Sequence, residues 1–189
     1  MLRATELAHI LMRQSLKHGD WAIDATVGNG HDTSLLAELV GSSGCVIGFD
    51  VQEAALAAAA TRVKSMPQVK LVHAGHEYLT ERLPADGHHR LAAVMFNLGY
   101  LPGAPKEIIT RAETTLSALK QALTHLKVHG LVTLILYPGH PGGEEETEAV
   151  RSYVKQLTEA FAVTGYARIN AVRPAPELIV IERITRDQT

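Results

Sequence analysis

Several short runs carry residue types that could bind a nucleoside and do chemistry beside it. In Asp24–Thr33 (Asp-Ala-Thr-Val-Gly-Asn-Gly-His-Asp-Thr), Gly28 and Gly30 let the backbone turn tightly and approach a ligand. A helix then opens, with Asp32 in its first turn, and its free N–H groups suit an anionic or polar group. Asp50 follows about twenty residues on, the spacing at which a strand-end carboxylate accepts hydrogen bonds from both ribose hydroxyls of an adenosine ligand. The third glycine of the dinucleotide fingerprint is absent, Thr33 standing there, which weakens the evidence for NAD. Asp24, acidic and ahead of the glycines, suits a donor whose methionine part carries an ammonium group. Together these features predict S-adenosylmethionine as cofactor.

Two further runs lie where open α/β sheets bind ligands. Asn97–Gly103 (Asn-Leu-Gly-Tyr-Leu-Pro-Gly) puts a carbonyl acceptor and an aromatic ring at the end of a strand. It looks like a relaxed version of the Asp/Asn-Pro-Pro-aromatic run that ends this strand in many amino-group methyltransferases. Tyr137–Gly143 (Tyr-Pro-Gly-His-Pro-Gly-Gly) precedes Glu144–Glu146. Its two Pro-Gly steps around His140 predict a constrained, exposed loop, and the glutamates suit the first turn of a helix. His76 and Glu77, after the third strand, stand where adenine is bordered. His88 and His89 fall in a polar loop, and no His/Cys/carboxylate spacing suggests a metal site.

The elements that must position these residues alternate. An amphipathic helix is predicted over 4–18, with Leu7, Ile10, Leu11 and Leu16 on or near one face, and a short strand begins at Trp21. Residues 31–40 read as helix, Gly44–Asp50 as strand, and the alanine-rich 52–65 as helix by propensity. Strands follow at Val69–His73, Leu91–Asn97 and Leu131–Tyr137, with a long helix over Thr110–Lys127. After a helix near 144–160, two strand-like runs, 162–170 and 178–184, have no helix between them and must pair antiparallel if they are neighbours. The expected fold is α/β and Rossmann-like: a seven-stranded, mostly parallel sheet with an antiparallel C-terminal strand and helices on both faces.

Length and composition bound the rest. The chain has 189 residues, enough for one domain over 1–189. It is 46% hydrophobic and 20% charged, the composition of a globular protein. A formal charge of −2 excludes a global positive field, so a nucleic-acid partner would need a local basic patch. One cysteine, Cys45, allows no internal disulfide and reads as a buried strand residue. No apolar run is long enough to span a bilayer and no signal core is evident, which predicts a cytoplasmic protein without a membrane partner. The oligomeric state is left open, with a homodimer as the candidate.

Taken together, Asp24–Thr33, Phe49–Gln52, Phe96–Gly103 and Tyr137–Glu145 resemble the YtqB/MnmM family of rRNA methylases, class I methyltransferases, over nearly the full length. The resemblance implies a donor site at Gly28, Asn29, Gly30, Asp50 and Gln52, with Gly75 and His76 beside the adenine. It also implies a tRNA partner at the anticodon region, since members methylate the exocyclic amine of 5-aminomethyl-2-thiouridine at the wobble position. The family usually continues Leu-Pro-Gly with Gly-Asp-Lys, where this chain has Ala104, Pro105 and Lys106.

For such a reaction Asn97 is an uncharged amide whose oxygen can accept an amine N–H and aim the lone pair. His140 is a candidate proton acceptor because a histidine titrates near neutral pH, and Tyr100 could stack on a splayed-out base. Tyr137 is expected to contact substrate. Arg3, Arg13, Lys106, Arg111 and Arg173 are candidates for an RNA patch, Arg173 lying in the stiff run Asn170–Pro176. Readings kept beside this one are an rRNA or small-molecule methyltransferase, a nucleotide-dependent oxidoreductase, and a non-catalytic RNA-binding module.

Overall fold

The computed structural model describes residues 2–84, 90–99 and 109–185. The elements in chain order are α1 (Ala4–Ser15), β1 (Trp21–Asp24), α2 (His31–Val40), β2 (Cys45–Asp50), α3 (Glu53–Arg62) and β3 (Val69–His73). A 3-10 turn (His76–Tyr78) leads into α4 (Leu79–Arg82), then β4 (Leu91–Asn97), α5 (Ala112–His125), β5 (Leu126–Leu136), α6 (Gly143–Val154), β6 (Phe161–Tyr166) and β7 (Glu177–Arg183).

The seven strands order as β3-β2-β1-β4-β5-β7-β6. The pairs from β3 through β5 are parallel, and β7 runs antiparallel to both β5 and β6. The crossover through α6 sets β6 one strand-width beyond β5, and the short return from β6 places β7 in that gap. The strand order reverses between β1 and β4, and there the carboxyl ends of adjacent strands open a crevice.

Strand alternation splits the core between the two faces of the sheet. Ile23, Phe49, Val94 and Phe96 pack with Leu119, Ala122 and Val150 of α5 and α6. Ala22, Val46, Ala93 and Met95 pack with α1 and α2 through Met12, Leu36 and Val40. Burial on both faces is what a central parallel sheet requires.

Several expected boundaries move. Helix α1 ends at Ser15 because Leu16 is extended and the Lys17 N–H donates to Asp20 Oδ2 at 2.9 Å. Of the four apolar residues expected near one face, Leu16 is buried, Leu7 and Leu11 pack half-buried against the core and Ile10 is exposed, while Ala4, Ala8 and Met12 complete the buried stripe. Small residues at i, i+4 let the helix axis approach the sheet closely. Strand β5 begins at Leu126, directly after α5, rather than at Leu131. Leu91 and Ala93 of β4 pair with Leu126 and Leu131, so residues 127–130 bulge, with His129 at φ +62°. Helix α6 stops at Val154, short of residue 160. Cys45 is half-buried at the start of β2 rather than buried.

Candidate active site

The crevice is a cavity of about 1050 Å³ walled by the ends of β1, β2, β3, β4 and β5 and by residues 174–176 between β6 and β7. At the end of β1, Gly28 and Gly30 take φ of +49° and +76°, the left-handed region that glycine enters without a Cβ penalty. A Cβ on Gly30 would lie 2.9 Å from Ala59 Cα, so α2 can start against α3 only with glycine there.

Asp50 organises this turn. Its Oδ2 accepts the Gly28 N–H and its Oδ1 the Gln52 N–H, each at 2.8 Å. A carboxylate offers about four acceptor positions, so both oxygens keep capacity for further donors from the cavity. Gly28, Asn29, Asp50 and Gln52, the residues expected at a donor site, all line it.

Asp24 is placed differently from the expectation. It is fully buried beneath the turn, where Oδ2 accepts the Thr33 hydroxyl at 2.5 Å and Oδ1 the Thr26 N–H at 3.1 Å. Burial, and then the nearby Asp32 charge, push its carboxyl up to about 7. Asp24 therefore braces the glycine turn from below and does not line the cavity, as a direct partner for an ammonium would. Gly30 likewise shapes the turn without lining the cavity. Asp32 does line it, and its Oδ1 is held by His9 Nε2 of α1 at 2.6 Å.

His76 follows β3 and lines the cavity. A carbonyl only accepts, so Nδ1 carries the proton donated to Ala25 O at 3.0 Å, and Nε2 is left an acceptor. That Nε2 is buried with no hydrogen-bond partner among the described residues, and burial lowers the ring's pKa, keeping it neutral. The ring meets Phe96 edge-on at 5.7 Å. Gly75 also lines the cavity. A ligand that brings a polar hydrogen to this wall would satisfy an otherwise orphaned atom.

Across the crevice, Asn97 ends β4. Its N–H donates to Thr26 Oγ1 at 2.8 Å, joining the ends of β1 and β4. Tyr137 lines the cavity, and burial followed by the Asp32 charge raises its phenol.

His140 is not the exposed loop residue expected. It is half-buried, its Nδ1 bonds Pro141 O at 2.8 Å, and a Cβ on Gly99 or Gly143 would meet its Nε2 at 3.3 or 2.9 Å. Gly99 and Gly143 leave room for the Nε2–Cδ2 edge of the ring, which lines the cavity.

Among the predicted RNA contacts, Arg111 lines the cavity, and Arg173 is exposed and lines a shallow recess adjoining it with Arg168. Arg3 pairs with Glu6 on α1. Tyr100 and Lys106 lie outside the described residues. Sequence reading missed Thr26, Thr110 and the 174–176 wall. It also missed His9, which has no local signal because its partner is 23 residues away.

A sheet of this order, with a glycine turn and carboxylate at the ends of β1 and β2, is the Rossmann-like fold of class I S-adenosylmethionine-dependent methyltransferases. The chain belongs to the family described as "Putative rRNA methylase", whose model matches residues 46–182. It is 42% identical over 162 residues to the chloroplastic tRNA (mnm(5)s(2)U34)-methyltransferase of Arabidopsis thaliana, a match covering 80% of this chain and 58% of that protein. This chain thus spans somewhat more than half the length of that relative.

Among solved structures, one described as a "putative rRNA-methylase" from Clostridium thermocellum superposes with a TM-score of 0.92 at 36% identity, covering 97% of this chain and 99% of the other. One described as "a putative methyltransferase" from Streptococcus mutans, in complex with SAH, superposes with a TM-score of 0.87 at 35% identity over the same shares of the two chains.

Proposed function

We propose that the protein transfers a methyl group from S-adenosylmethionine to the exocyclic amine of 5-aminomethyl-2-thiouridine at the wobble position of tRNA, acting in the cytoplasm. The observation that carries the donor is Asp50, whose two oxygens tie Gly28 to Gln52 while facing a cavity that continues to Asn97. The substrate is supported by the Arabidopsis relative, whose name carries the methylaminomethyl nucleoside that this transfer would produce.

In this reading Asp50 and Gln52 hold the ribose, the Gly28–Gly30 turn closes over the donor's chain, and Gly75 and His76 border the adenine. Asp32 stands on the side of the donor's amino-acid end. The bound donor supplies an electrophilic sulfonium methyl. The substrate amine must first lose a proton, and the Asn97 amide oxygen then accepts one of its remaining N–H groups and turns the lone pair toward the methyl. Leu98 and Phe96, both buried, keep the base of the site dry beneath Asn97. Arg111 and Arg173 meet backbone phosphates at the rim.

The experiment is incubation of the purified protein with tRNA carrying the aminomethyl nucleoside and with deuteromethyl-labelled donor, followed by nucleoside mass spectrometry. The expected product is the wobble nucleoside heavier by one labelled methyl. Label on rRNA alone, or on no RNA, would overturn the substrate assignment.

A further inference from the structure

Among the described residues at the end of β4, the backbone N–H groups of Asn97, Leu98 and Gly99 are all committed. The Asn97 N–H goes to Thr26 Oγ1 at 2.8 Å, Leu98 to Ile135 O at 3.0 Å, and Gly99 to Thr110 Oγ1 at 2.8 Å. Thr110 returns its own N–H to Gly99 O at 2.9 Å, so the two residues are locked by a reciprocal pair. The Thr110 hydroxyl then donates its one proton to Glu146 Oε2 at 2.8 Å, and Glu146 Oε1 accepts the Thr115 hydroxyl at 2.6 Å.

Glu146 is 2% exposed and lies in the first helical turns of α6, where the N-terminal end of a helix favours negative charge. A buried carboxylate is costly unless its oxygens are satisfied, and here two hydroxyls at the start of α5 satisfy it. The direction of each bond follows. An ionised carboxylate only accepts, so Thr110 must donate to it, which leaves the Thr110 lone pairs for the Gly99 N–H. Gly99 itself takes φ +117°, which suits glycine, and its Cα packs toward His140.

We infer that Glu146 is a positioning residue for the methyl transfer: acting through Thr110, it fixes Gly99 and so sets the aim of the Asn97 side chain two residues away. The inference rests on the reading of Asn97 as the group that orients the amine. Glu146 itself does not line the cavity. Its effect passes through the Thr110 hydroxyl, which explains why a buried acid lies so close to a turn that already has its strand contacts.

Thr110→Val keeps the shape and removes the hydroxyl; Thr110→Ser keeps the hydroxyl. Displacing a reacting group by about an ångström can cost on the order of a hundredfold in rate. Thr110→Val should therefore lower single-turnover rate by at least about tenfold while donor affinity measured by calorimetry stays within roughly threefold. Thr110→Ser should recover most of the rate, and Glu146→Ala should match Thr110→Val.

A readout independent of turnover is amide hydrogen exchange at Gly99, which should quicken in Thr110→Val and stay slow in Thr110→Ser. Wild-type rate in a folded Thr110→Val protein, an equal loss in Thr110→Ser, or unchanged Gly99 exchange would each overturn the inference. Should Glu146→Ala fail to fold, the two Thr110 variants carry the test alone. Should the wild-type protein methylate no RNA, the functional reading fails, while Gly99 exchange still decides whether the clamp exists.

Discussion

Replacing Asp50 by alanine should weaken donor binding by roughly ten- to 150-fold, a range that follows from how its oxygens are used. Each accepts one backbone N–H at 2.8 Å, from Gly28 and from Gln52, and the remaining acceptor positions are those assigned to the ribose hydroxyls. A hydrogen bond to a charged acceptor contributes about 1.5–3 kcal/mol net. One such bond at the lower end corresponds to about tenfold in affinity, and two at the lower end to about 3 kcal/mol, or roughly 150-fold. Asp50 is half-buried, so the released N–H groups can turn to water, and the loss of fold stability should be modest. Part of the effect would nevertheless come from loosening the Gly28 turn. The assay must separate the two: calorimetric titration of wild type and Asp50→Ala with S-adenosylhomocysteine and with its 2′,3′-dideoxy analogue. The wild type should prefer the hydroxylated ligand, and the variant should lose that preference. Unchanged affinity in a folded Asp50→Ala protein, or a preference that survives the substitution, would refute the ribose assignment.

Other expectations follow from the same geometry. Asp24, with its carboxyl pushed up from an ordinary 3.8 to about 7 by burial and by Asp32, binds a proton more readily folded than unfolded. The stability it contributes is therefore present at low pH and is lost as pH rises from about 4 to about 7. Asp24→Asn should flatten that decline, so thermal melts should show the variant gaining on wild type as pH rises; a constant difference would contradict the burial argument. His140→Ala should lower turnover with the shape of the pH–rate profile intact, because the ring packs against Gly99 and Gly143; loss of one limb would restore it as a proton acceptor. Arg173→Ala should flatten the salt dependence of RNA binding by about one unit of slope, and an unchanged slope would make that loop ordinary surface.

The parts of the site legible in the sequence are those carried by contiguous runs. The glycines of Asp24–Thr33 and the acid at Asp50 announce themselves because a tight turn and a strand-end carboxylate depend on local residue types. The antiparallel end of the sheet was readable because no helix could fit between β6 and β7. The insertion of β7 between β5 and β6 was not, since edge order depends on packing across the whole sheet. Asp24 was correctly singled out and wrongly aimed: its type marks the turn, but only the Thr33 and Thr26 bonds show that it points down. His140 is half-buried because Gly99, far away in the chain, and Gly143 make room for its ring, a contact that the Pro-Gly steps do not signal. Glu146 reads as a solvated first-turn acid, and its partners lie 36 and 31 residues away. On α1 the expected Leu7, Leu11 and Leu16 do pack on the core, but the deepest positions also include Ala4 and Ala8, whose small side chains carry no apolar signal strong enough to read.

That Asn97 aims the substrate amine at the donor methyl is tested most directly by single-turnover methylation of tRNA carrying the aminomethyl wobble nucleoside, at saturating RNA and donor, comparing wild type with Asn97→Ala across pH. The expected result is a turnover rate lower by about a hundredfold at every pH, with donor affinity little changed, because misorientation of the nitrogen does not depend on its protonation. Wild-type rates from a folded Asn97→Ala protein would contradict it.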